Sequence, residues 1–230
     1  LSADLGDRDA LEHLVDHARR ELGPIDVLVN NVGVEQMGFY EDLGWADIDR
    51  AIALNLAAPM VLTRLVLPEM LARDRGHVLN VASIAGLGPT AFGETYGATK
   101  HGVVGFTRSL RASLKARASA VSASVICPGF VSDTGMYQAV HERYGIAAHW
   151  RLGTCTPSHV AGAAVRAIER DAPEVIVNRM PLRHLVALGA ALPRAVELLT
   201  RAFDVNASSR ELAEHRRAER GADAAVSIHS

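Results

Sequence analysis

Lysine is almost absent from this chain of 230 residues. Of its 24 basic residues only Lys100 and Lys115 are lysine, and arginine supplies the rest. Cysteine is as scarce. Cys127 and Cys155 are too few for a disulfide framework, so a reducing, cytoplasmic setting is the expectation. Neither sign of charge is in excess, the formal net charge being −2. No basic block points to nucleic acid and no acidic tail to a basic partner. No uninterrupted apolar run approaches the roughly eighteen residues of a membrane span, and no signal peptide is recognisable. What is present is an ordinary globular balance, 49% apolar and 22% charged, in a length that suits one domain with a sizeable core.

The hydrophobic pattern alternates between two periods. DRDALEHLVDHARREL at 7–22 places Leu11, Leu14, Val15 and Leu22 on one helical stripe, with Asp7 as cap and Gly23-Pro24 as stop. IDVLVN follows as a short run suited to a buried parallel strand. A helical stretch runs from about Trp45 to Ala72, with Pro59 and Pro68 expected to bend or divide it. The next strand is HVLNVAS at 77–83, then an amphipathic helix at 96–117 and the strand SASVICP at 122–128. After an irregular stretch come a helix near 157–170 and the strand EVIVN at 174–178. Strands alternating with helices at this spacing argue for an α/β fold with a doubly wound parallel sheet.

Lys100 stands four residues after Tyr96 in TYGATK, so on a helix the two side chains share a face. A free tyrosine titrates near pH ~10, and bringing it to ~7 requires roughly 4 kcal/mol of preference for the phenolate. One positive charge at about 4 Å supplies that much at an effective dielectric near 20. Lysine is a compact point charge on a flexible stem, and it can also bond a sugar hydroxyl; arginine's planar fork suits the task less well. Read alone, the pair is better explained by a surface tyrosine beside a surface lysine. The neighbours change that. Ser83 ends the strand HVLNVAS, where an open α/β sheet places ligand-binding groups. Gly33 closes NNVG after the preceding strand and would let a ligand approach the backbone. Asn55 lies inside a helix that its propensity does not favour, and CPG at 127–129 ends the third strand, with Thr134 beyond it.

Together these segments resemble the short-chain dehydrogenase/reductase family, in its short single-domain subgroup. NNVG at 30–33, Asn55, Ser83, Tyr96 with Lys100, Pro128-Gly129 and ADLGD at 3–7 match its motifs in order and spacing over roughly residues 1–178. The resemblance implies a Rossmann-like sheet and a nicotinamide cofactor, NAD or NADP, exchanging hydride with a small alcohol or ketone substrate. It implies a catalytic set in which Tyr96 exchanges the proton and Ser83 orients the substrate oxygen. Lys100 would lower the tyrosine pKa and bond the nicotinamide ribose, and Asn55 would hold a proton-relaying water. It also implies cofactor contacts from Asp4, Asn30, Asn31, Gly33, Pro128, Gly129 and Thr134. Homo-oligomers built through helices 54–72 and 96–117 are a further expectation of the resemblance.

One departure is large. The family opens with a strand, a glycine-rich pyrophosphate turn and a second strand, and this chain matches neither strand nor turn. The expected domain is therefore an N-terminally truncated Rossmann-like unit at 1–180, with the first two strands absent and weak cofactor binding by the chain alone. A shortened gene reading, an inactive remnant acting through protein contacts, and a partner that supplies the missing half are the competing accounts. Residues 181–230 form a helical extension. Leu185, Leu188, Leu192, Val196 and Leu199 recur on one face, and the arginine-rich segment beyond reads as exposed. That apolar face is expected to dock on protein near the active site or a dimer edge, in preference to a membrane surface. Met136, Tyr137, Tyr144, Ile146 and Trp150 either line a substrate pocket or pack a lid. His13 and His17 have helical i, i+4 spacing but no evident third ligand, so no metal site is expected.

Overall fold

The computed structural model describes residues 2–148, 153–180 and 183–227; Trp150 and Pro181 lie outside them. The chain begins with α1 (Arg8–Leu22), capped by Asp7, whose carboxylate accepts from the Asp9 amide at 3.0 Å. β1 (Val27–Asn30) leads to α2 (Trp45–Ile52), a π turn (Ala53–Ala57) and α3 (Ala58–Ala72). β2 (His77–Val81), α4 (Glu94–Ala116) and β3 (Ser122–Pro128) follow. The stretch read as irregular holds a short two-strand pair, β4 (Phe130–Val131) with β5 (Thr154–Cys155), and the helix α5 (Gly135–Tyr144). α6 (Pro157–Glu169) and β6 (Glu174–Val177) complete the α/β portion, and α7 (Arg183–Ala191), α8 (Pro193–Ala202) and α9 (Ala207–Ser227) form the tail.

The main sheet is parallel with strand order β1-β2-β3-β6. Side chains alternate across it. Leu28, Val78 and Ala123 face a core shared with Leu11 and Val15 of α1, Leu62, Val66 and Met70 of α3, and Leu114 of α4. Leu79 and Ile126 face the opposite side, where Ala163 and Ala167 of α6 cover them. Helices on both faces give the doubly wound arrangement that the alternating pattern implied. β1 departs from the expectation of a buried strand. Val27 and Val29 are 44% and 49% exposed, because they project on the α6 side while α6 packs over β2, β3 and β6. The Trp45–Ala72 segment is, by length and composition, apolar enough to cross a membrane, which the absence of an uninterrupted apolar run did not reveal. Here it is a sheet-packing helix with Leu62, Val66 and Met70 in the core.

The tail differs from its sequence reading. Of the face expected to dock, Leu188, Leu192 and Leu199 are exposed within the chain and Val196 is half-buried, while the Leu185 side chain lies outside the described residues. The arginine-rich α9, expected to be exposed, is the helix that docks. Leu212 packs with Met37, Val140 and Ile146, and three arginines fasten it to the segment after β1.

Candidate active site

The site forms where β1 and β2 end and α4 begins. Pro59 has no amide proton, so the Asn55 carbonyl, four residues earlier, has no α-helical donor at that position. The helix absorbs this with a π turn, closed by the Ala58 amide on the Ala53 carbonyl. Such turns recur at functional positions. The Asn55 side chain, 1% exposed, is committed elsewhere. Its Oδ1 accepts from the Val34 amide at 2.7 Å, and its Nδ2 donates to the Val34 carbonyl at 2.9 Å and to Thr99 Oγ1 at 3.2 Å. Asn55 thus fixes the loop after β1 against α4.

Ser83 caps the 3-10 turn at 84–86, accepting from the Ala85 amide at 3.2 Å, and donates to the Pro128 carbonyl at 3.4 Å. That turn lies so close to α4 that a Cβ on Gly86 would stand 2.6 Å from the Lys100 carbonyl oxygen. The close packing brings Ser83 to Tyr96. Lys100, buried, donates to the Val81 carbonyl at 3.3 Å, and its Nζ lies 5.6 Å from the centre of the Tyr96 ring. Gly33 faces both partners: a Cβ there would sit 3.1 Å from Asn55 Oδ1 and 3.3 Å from Lys100 Nζ. The four residues expected to carry the chemistry therefore converge.

The electrostatics differ from the expected lowering of the tyrosine pKa. Burial pushes Tyr96 up to about 12, the Ser83 hydroxyl pulls it back, and the Glu35 carboxylate pushes it further up. Burial also brings Lys100 down to about 8. In this arrangement desolvation of the phenol outweighs any help from Lys100, and Tyr96 carries its proton throughout the neutral range. Such a group is ready to donate a proton. Buried Cys127, at the end of β3, is pushed up to about 12 by the same cause and is a thiol.

The expected cofactor contacts divide. Asn30 is a correction: its side chain is buried in the sheet, where Nδ2 donates to Asn80 Oδ1 at 2.7 Å, so it ties β1 to β2 and does not face a ligand. Strand alternation sends Asn31 the other way, to the exposed end of β1. Gly33 lies beside Lys100, as above. Pro128 is buried at the end of β3, and Gly129 packs against Asn178 too closely for a Cβ. Thr134 is exposed and precedes α5 without a capping bond from its side chain. Asp4 is exposed and caps its own turn, accepting from the Gly6 amide at 2.9 Å. Sequence reasoning missed Glu35 and Arg216. Arg216 of α9 donates to the Met37 carbonyl at 2.8 Å and lies 3.5 Å from the Glu35 carboxylate. Both line a cavity of about 540 Å³ bounded by Gly33 and Val34, by Met136 and Val140 of α5, and by Arg220 of α9.

A doubly wound parallel sheet with serine, tyrosine and lysine converging at its carboxyl end defines a dehydrogenase-type domain. The short chain dehydrogenase family model matches residues 1–145, and the chain belongs to that family. It is 38% identical over 218 residues to a ketoacyl reductase of Nostoc, covering 93% of this chain and 74% of that one. It is 39% identical over 141 residues to a D-beta-hydroxybutyrate dehydrogenase of Cupriavidus necator, covering 61% of this chain and 54% of that one. Among solved structures, a short chain dehydrogenase/reductase from Burkholderia phymatum in complex with NAD superposes with a TM-score of 0.72 at 23% identity, over 86% of this chain and 76% of that one. A metagenomic short-chain oxidoreductase in complex with NADP superposes with a TM-score of 0.52 at 36% identity, over 56% and 57% of the two chains. The chain is thus a member of an oxidoreductase family, and it spans from about half to three quarters of the length of these relatives.

Proposed function

We propose that this protein is a nicotinamide-dependent oxidoreductase that interconverts an alcohol and a ketone, with Tyr96 as the proton-exchanging group. The observation that carries this reading is the convergence of Ser83, Tyr96, Lys100 and the π-turn Asn55 at the carboxyl end of the sheet. A substrate carbonyl accepting from both Ser83 and Tyr96 is polarised by two hydroxyls. The protonated phenol then suits reduction, because the developing alkoxide takes its proton from Tyr96. Lys100, with three N–H donors and one carbonyl partner at 3.3 Å, can return a proton toward Tyr96 and bond a ribose hydroxyl. In this reading Asn55, whose main-chain carbonyl Pro59 deprives of an α-helical donor, holds the water that links Lys100 to solvent.

The residues present fit the nicotinamide end of NAD or NADP. Gly33 keeps clear the space beside Lys100, the Asn31–Gly33 segment and Asp4 would meet the adenosine side, and Pro128 and Gly129 at the end of β3 with Thr134 would meet the nicotinamide. A bound reduced nicotinamide supplies the hydride. The substrate is a small alcohol or ketone, and its apolar part fits the Met136 and Val140 side of the cavity.

A second reading is a chain that works only through protein contacts, and the exposed Val27 and Val29 on edge strand β1 favour it. Incubation with ketones, including 3-oxoacyl esters, and either NADH or NADPH separates the two. Loss of reduced-nicotinamide absorbance supports the enzyme; its absence with every pair supports the second reading. We further propose a homo-oligomer through the π turn with α3 and through α4, where Ala57, Ala112 and Ala116 are exposed and permit close approach, whereas Ala58 is buried within the chain. A monomeric mass by light scattering would remove that proposal.

A further inference from the structure

The helices α7 and α8 pack on each other and leave leucines uncovered. They meet closely at Gly189 of α7, where a Cβ would lie 3.6 Å from the Val196 side chain of α8. Beyond that contact α8 is apolar and open. Ala195, Leu198, Leu199 and Ala202 recur at the three- and four-residue steps of one helical face, and Leu198 is 68% exposed. Leu188 and Leu192, a turn apart at the corner before Pro193, are exposed as well, Leu192 at 54%. Exposed apolar surface rimmed by polar groups marks a contact site.

The rim here is cationic. Arg183, Arg194 and Arg201 are exposed, and none of them makes an ion pair among the described residues. Arg194 and Arg201 stand four and three residues from Leu198, at the edge of the apolar face. Glu197, the one acidic residue of the two helices, lies on the side of α8 turned away from it. α9 differs. Its Arg210, Arg216, Arg217 and Arg220 each pair with a carboxylate of the chain. The cations of α9 are thus used within the fold, and those of α7 and α8 are available to something outside it.

We propose that α7 and α8 form a docking surface for a bilayer of anionic lipid. The inference goes beyond the enzyme reading and stands without it. Helices of 9 and 10 residues are too short to span hydrocarbon, which takes about 20 residues. Lying in the interface needs no such length: the leucines enter the acyl boundary and the arginines meet the phosphates. A second copy fits the same face less well. A two-fold contact places one patch against its own image, so the arginines of both copies would crowd together with only Glu197 of each to offset them.

The test is flotation of the full chain with vesicles of phosphatidylcholine, with and without phosphatidylglycerol. An arginine near an anionic surface gains about fivefold in binding, so three should favour the anionic vesicles about a hundredfold. Salt at about 1 M should remove most of that preference. Leu198→Ser should weaken binding to the anionic vesicles at least about tenfold. Arg194→Gln with Arg201→Gln should weaken it about 25-fold. All three residues are exposed, so the variants keep the fold; near-UV circular dichroism checks this, and either variant decides alone. These results support the proposal. No flotation, equal flotation with both vesicles, or a variant that floats like the parent overturns it. Light scattering without lipid reads the other occupant: a dimer that Leu198→Ser dissociates, in a chain that does not float, assigns the face to a second copy. Flotation requires no turnover, so its failure leaves the enzyme reading intact, and an inactive chain that floats leaves the docking surface intact.

Discussion

Asn55→Ala tests whether this side chain is the clamp between the loop after β1 and α4. The substitution removes the acceptor for the Val34 amide at 2.7 Å and the donors to the Val34 carbonyl at 2.9 Å and Thr99 at 3.2 Å. Net contributions of neutral hydrogen bonds are about 1 kcal/mol each, and leaving a buried partner unsatisfied costs about 1–3 kcal/mol. Thr99 keeps its bond to the Tyr96 carbonyl at 2.8 Å, and Val34 is only partly buried, so water can reach one of its two groups. The expected loss is therefore about 3 kcal/mol, lower than the simple sum of all the penalties. For a chain of this size it corresponds to a fall in Tm of about 6–12 °C. Denaturant unfolding gives the global number, and hydrogen exchange at the Val34 amide gives the local one. A variant within about 0.5 kcal/mol of the parent, with the Val34 amide still protected, would refute the clamp.

Gly33→Ala places a Cβ 3.1 Å from Asn55 Oδ1 and 3.3 Å from Lys100 Nζ. Displacing the ammonium by a few tenths of an ångström should lower turnover about tenfold with under ~1 kcal/mol change in unfolding free energy, and parent-like kinetics would argue that Lys100 has slack. Asp171 is held well below the usual carboxylate range by Arg111, with Ser122 and Lys115 assisting. A depressed folded pKa stabilises above the unfolded value near pH ~4, and that stability disappears as the pH falls through the folded value. The Asp171 side chain is 41% exposed, so solvent screening discounts the gain, and Asp171→Asn should cost about 1 kcal/mol at pH 7 and progressively less below pH ~4, as read by urea unfolding on either side of that pH. Arg217→Ala removes the pairs with Glu41 and Asp42 and the contact with Phe39. These groups are exposed to solvent, so global stability should change little while exchange of α9 amides rises, and unchanged exchange would show that apolar packing alone holds the helix.

The strands and the shared face of Tyr96 and Lys100 were legible because both depend on short-range pattern. Apolar runs such as HVLNV report burial directly, and Tyr96 and Lys100 report a shared helical face. Asn30 was misread because NN says nothing about the pleat. Alternation turns Asn30 inward to Asn80 and Asn31 outward. The π turn was readable in principle, since Pro59 stands four residues after Asn55 and cannot donate to it. α5 was hidden because GMYQAVHERY buries only Val140 and has no side-chain cap. α9 was hidden for a different reason. Its arginines read locally as a solvated face, and their partners Glu35, Glu41, Asp42 and Asp47 lie more than 170 residues earlier. Charge complementarity over that distance has no periodic signature. The pKa of Tyr96 was likewise beyond local reading, because burial depends on the whole fold.

The central claim, that Tyr96 is the proton donor in reduction of a ketone by NADH or NADPH, is tested most directly by Tyr96→Phe. The ring and its packing stay, and only the hydroxyl beside Ser83 is lost. With a ketone substrate and reduced nicotinamide, turnover should fall by a factor of about 100 or more while cofactor affinity changes little. A phenylalanine variant that reduces the ketone at the parent rate would contradict the account.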